Sequence, residues 1–117
     1  MNVGDLSTLK SHLQEFLVKK VPGMLSFLNM LCTLIHRVDC ITLFLTSPSK
    51  LYLVILTHYR GDTVTADYTF TLMFLNPLVA YLKAPELAQQ LLEYVKTGRD
   101  NEFIEIVMKV LVKGVSA

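Results

Sequence analysis

The sequence predicts an α+β fold: a three-stranded antiparallel β-meander packed on one face by helices, in the order ααβββααα. Three observations predict it. Residues 63–72 alternate strictly between apolar and threonine or aspartate, the period of a half-buried strand. Gly61-Asp62 stands where a two-residue type II′ hairpin turn places glycine first. The apolar residues on either side of this middle region fall instead at helical spacing.

The chain has 117 residues, a length that suits a single domain over residues 1–117. Apolar residues make up 52% and charged residues 18%, so a core can form but little charge remains to cover the outside. That imbalance points to a surface shared with a second copy or another protein. The net charge of +1 gives no global pull toward nucleic acid or acidic lipid.

Helix 1 is expected from about Leu6 to Lys20, capped by Asp5 or Ser7. Leu6, Leu9, Leu13, Phe16 and Leu17 form its stripe, and Pro22-Gly23 ends it. Helix 2, about Met24 to Val38, is apolar nearly all round and is expected to be the central core element.

The strands are expected at Cys40–Thr46, Leu51–Tyr59 and Thr63–Phe74. A three-residue loop at Ser47–Ser49 and the two-residue turn at Gly61-Asp62 give registers that agree. Both place Ile41, Leu43, Leu45, Leu51, Leu53, Ile55, Tyr68, Phe70 and Leu72 on one core face. Asn76-Pro77 then starts a short helix to about Lys83. Pro85 starts another to about Lys96, closed by Gly98 in a left-handed cap. The last helix is capped by Asp100 or Asn101 and runs to about Lys113.

The opposite sheet face carries the candidate interaction residues. Phe44, Tyr52, Val54 and Leu56 supply its apolar and aromatic part, with Phe44 directly across from Tyr52. Lys50, His58, Arg60, Asp67 and Thr69 supply its polar part. Such a face suits a protein contact, self-association into a dimer first. The alternative is a nucleic-acid accessory role, with Phe44 and Tyr52 stacking bases beside Lys50 and Arg60.

Motifs for chemistry are weak. Cys32-x3-His36-x3-Cys40 brings a thiol and an imidazole to one helix face, and His12 or His58 would have to complete a zinc site, a spacing unlike common zinc patterns. Cys32 and His36 as a nucleophile pair would need an exposed thiol, yet Cys32 sits in the most apolar helix. His58 and Asp67 could orient a base, without a nucleophile nearby. Arg60-Gly61-Asp62 spells an adhesion tripeptide, read here as turn chemistry. The five glycines stand apart, so no phosphate loop is present. No catalytic residue, metal or cofactor is expected. No targeting segment or membrane span is read, and two cysteines make no disulfide framework, so an intracellular, cytoplasmic location is expected.

Overall fold

The computed structural model describes the backbone of residues 3–116 and the side chains of residues 6–113, and no residue among them lies in a strand. Helix accounts for 86% of it. The α+β expectation is thereby corrected: the three segments read as a meander are helices.

The misreading has a definite physical source. In a strand, residues two apart share a face; in a helix they sit about 200° apart, on opposite sides. The even-numbered apolar residues of the third segment divide accordingly. Ala66, Phe70 and Phe74 are buried, whereas Val64, Tyr68 and Leu72 point outward. Strict alternation was the sum of two four-residue stripes on opposite sides of one helix. The second segment divides the same way, with Leu51 and Ile55 buried and Leu53 exposed.

The elements run α1 (Val3–Lys20), α2 (Pro22–His36), α3 (Cys40–Thr46), α4 (Pro48–His58) and α5 (Thr63–Phe70). A π turn (Thr71–Leu75), α6 (Asn76–Tyr81), a 3₁₀ turn (Pro85–Leu87), α7 (Ala88–Lys96) and α8 (Asp100–Ser116) follow. The flanking helices therefore lie near where periodicity put them. Leu9, Leu13 and Leu17 are fully buried on α1. The cap assigned to Asp5 lies outside the described side chains, and Ser7 falls inside α1.

Each break between helices has a local cause. Arg37 takes a left-handed conformation (φ 65°) after α2. Asp39 then caps α3, accepting from the Thr42 amide at 2.8 Å and the Thr42 hydroxyl at 2.9 Å. Asn29 of α2 reaches over to accept from the Cys40 amide at 3.0 Å. Pro48 opens α4, where Asp100 of α8 accepts from the Ser49 amide and hydroxyl at 3.0 and 2.8 Å. A carboxylate there satisfies a free helix-end donor and favours the positive end of the dipole.

The supposed hairpin tip is two helix caps back to back. The Gly61 amide donates to the Leu56 carbonyl and the Arg60 amide to the Thr57 carbonyl, which closes α4 in a Schellman motif. Asp62 then caps α5 by accepting from the Thr65 amide and hydroxyl. Gly98 (φ 74°) closes α7 as expected, with the Arg99 amide reaching the Tyr94 carbonyl at 2.7 Å.

Asn76-Pro77 does not start a new helix. The chain is continuously helical from Thr63 into α6. A proline ring clashes with the carbonyl four residues back and offers it no N–H. The π turn before Pro77 accommodates this, with the Asn76 amide bonded to Thr71 five residues earlier.

The core centres on α4 and the α5–π segment, not on α2. The rings of Phe70, Phe74 and Phe103 stand 5.7, 5.2 and 5.6 Å from that of Phe44, and all four are fully buried. Each such ring contributes about 1.5–3 kcal/mol through removal from water. Helix α2, expected to be central, lies at the surface. Only Leu25, Leu28 and Cys32 of it are buried.

Candidate interaction groove

The nine residues assigned to a second sheet face do not form one. Phe44 lies in the aromatic core. Tyr52 is buried, and its hydroxyl donates to Asp67 Oδ1 at 2.5 Å. Asp67 also accepts from Lys96 Nζ at 2.7 Å, which ties α5 to α4 and α7. Burial, then the hydrogen bond and charge of Asp67, push the Tyr52 phenol well above its usual value. Thr69 is buried with its hydroxyl donating to the Tyr59 hydroxyl at 3.2 Å. Leu56 is half-buried, whereas Lys50, His58 and Arg60 are exposed. Because Phe44 and Tyr52 have no open ring face, the base-stacking platform is lost with the sheet.

The sequence motifs for chemistry disperse too. Cys32 and Cys40 are both fully buried free thiols. Burial, helped by Asp39, pushes the Cys32 thiol up to about 11. Burial, with smaller effects from Cys32 and Asp39, pushes the Cys40 thiol up to about 12. Such thiols stay protonated at neutral pH and are poor nucleophiles and ligands. Among the described residues, no group of three or more His, Cys, Asp or Glu could hold a metal ion. His12 packs on Tyr81, with ring centroids 4.9 Å apart. His58 packs on Phe27 and Tyr59, at 4.8 and 4.9 Å, while Asp67 is held by Tyr52 and Lys96. Asp62 of the adhesion tripeptide is held by Thr65.

What the fold assembles instead is an apolar groove between α2 and α4. Its construction follows from the composition of α2. One stripe, Leu25, Leu28 and Cys32, faces the core. A second stripe, Phe27, Met30, Leu31, Leu34 and Ile35, repeats at i, i+3, i+4, i+7 and i+8 and faces outward. Leu34 is 70% exposed and Ile35 58%. Across from it, α4 turns Leu53 outward at 56% exposure.

Between these walls is a cavity of ≈ 290 Å³. Phe27, Leu31, Ile35, Leu53 and Val54 make its apolar surface, and His36, Lys50, Thr57 and His58 supply its polar atoms. The contact of Phe27, early in α2, with His58, the last residue of α4, sets one end. His36, at the end of α2, and Lys50, in the first turn of α4, also line it. Three of the nine sequence-assigned residues, Lys50, Val54 and His58, thus come together, in a different setting from the one expected. The α2 stripe was missed because a helix apolar on most sides reads as buried. The shortage of charged residues was the signal that not all of its sides could be.

A second outward stripe, Val64, Tyr68 and Leu72, lies on α5 and the π turn. Leu72 joins Phe16, Lys20, Val21 and Met73 around a smaller hollow of ≈ 250 Å³. No single helix among the described residues is long and apolar enough to cross a membrane. In comparisons with protein-family models, curated proteins and solved structures, nothing matches this chain.

Proposed function

We propose that this chain is a non-enzymatic protein-interaction module whose α2–α4 groove takes one amphipathic helix of a protein partner. The observation that carries the proposal is the outward stripe of α2, with Ile35 58% exposed on the wall of an apolar cleft that Leu53 of α4 lines from the other side. Burying such a stripe is favourable by about 25 cal/mol per Å². A cleft walled by the apolar stripe of α2 on one side and by Leu53 and Val54 of α4 on the other fits a helix that inserts every third or fourth residue. The buried state of Cys32 and the engagement of Asp67 support a binding role over chemistry.

A stapled synthetic helix with leucine at i, i+4 and i+7 and glutamine elsewhere is a suitable probe. Added to the isotope-labelled full chain, it is expected to shift amide resonances of α2 and α4 around Phe27, Leu34 and Leu53. Shifts confined to other helices, or none at millimolar peptide, would overturn the proposal.

A further inference from the structure

Resting on that groove, we infer that the partner helix carries acidic residues at both ends of its apolar stripe. The polar groups lining the cleft are two imidazoles, one ammonium and one hydroxyl, with no carboxylate. The bias extends along the chain that builds both walls. From the start of α2 to the turn after α4, residues 22–61 contain three Lys or Arg, namely Arg37, Lys50 and Arg60, and a single acid, Asp39.

That acid is already committed. Its carboxylate accepts from the Thr42 amide and hydroxyl and lies 3.9 Å from Lys10 Nζ. Lys50, Arg37 and Arg60 are exposed, and among the described residues none of them forms an ion pair. Lys96 is different: it meets Asp67 at 2.7 Å. The remaining seven acids lie beyond residue 61, and two, Asp5 and Glu15, precede residue 16.

Geometry fixes where the acids belong. Phe27 and Ile35 are eight residues apart on α2, about 12 Å along its axis. A partner helix covers that span in little more than two turns, enough for three apolar anchors. The cations stand at the ends of the walls: Lys50 lies in the first turn of α4, Arg37 follows α2 and Arg60 follows α4. Carboxylates one turn outside the anchors can reach them. A second copy of this chain would instead bring together two clefts lined by Lys50 and by no carboxylate, and like charges facing each other disfavour that pairing.

The test uses the full chain and three fluorescent stapled helices that share the leucine anchors and differ only in their flanks. One is flanked by glutamate, one by glutamine and one by lysine. The glutamate helix is expected to bind about tenfold tighter than the lysine helix at low salt, the sum of several exposed pairs. The gap is expected to narrow as salt rises, and Lys50→Glu to reduce or reverse it. Equal affinities for all three would overturn the charge assignment and leave the groove standing. Failure of all three to bind would overturn the groove itself. A concentration-dependent dimer that Ile35→Asp dissolves would place a second copy in the groove and overturn the acidic-helix assignment.

Discussion

Phe44 and Leu34 stand ten residues apart, each on a mostly apolar helix, and meet opposite fates. Phe44 is fully enclosed by Phe70, Phe74 and Phe103, whereas Leu34 stands 70% in solvent on the outer stripe of α2. Both regions are apolar, so hydrophobicity alone does not distinguish them. What distinguishes them is the number of elements available to cover each surface. Around Phe44, helices α3, α4 and α8 and the α5–π segment converge. Beyond Leu34 none of the described residues closes over the outer stripe of α2. The first region holds the fold together, and the second stays exposed.

Substitutions separate the two most sharply at the core. Phe44→Ala is expected to lose about 3–5 kcal/mol of unfolding free energy, the usual range for a buried aromatic, read from urea melts. A loss below 1 kcal/mol would mean that the aromatic cluster is not the organising centre.

A pH series gives the next effect. Both buried thiols titrate higher in the fold than in the unfolded chain. The unfolded chain therefore releases its protons first, from about pH 8.5. Stability is fully present below that pH and falls as pH rises toward the folded values. The slope is expected to be of order 1 kcal/mol per pH unit. Cys32→Ala is expected to flatten the dependence between pH 8.5 and 9.5, and a slope that persists unchanged in this variant would contradict the burial of the thiol.

Smaller effects test how the core is tied at its edges. Tyr52→Phe removes the donor to Asp67 and is expected to lose about 1–2 kcal/mol; an unchanged urea midpoint would show that Lys96 alone suffices. Asp100→Ala frees the Ser49 amide at the start of α4 and is expected to lose about 1 kcal/mol. The smallest effect belongs to the groove. Leu34→Gln is expected to leave stability within about 0.5 kcal/mol, and a large loss would make the outer stripe part of the fold.

The same contrast explains how much was legible beforehand. The stripe Leu9, Leu13, Leu17 and the glycine cap at Gly98 could be read because only a helix produces them. The middle of the chain could not. Its β-branched residues suit strands, and an even-numbered apolar set satisfies a strand's single face or a helix's two opposite stripes equally well. Val64 through Phe74 is the second case, decided by tertiary cover and not by local pattern. The two hairpin registers agree without testing the strands independently, since every spacing within each segment is even and suits a helix's opposite stripes as well. Of the site, Lys50, Val54 and His58 were singled out, but the α2 wall was assigned to the core.

The most direct measurement is the affinity of the glutamate-flanked helix for Ile35→Asp, taken with the variant's melting temperature. The expected result is at least a tenfold loss of affinity with the melting temperature unchanged. Unchanged affinity in the folded variant would contradict the claim that the outer stripe of α2 is a docking surface.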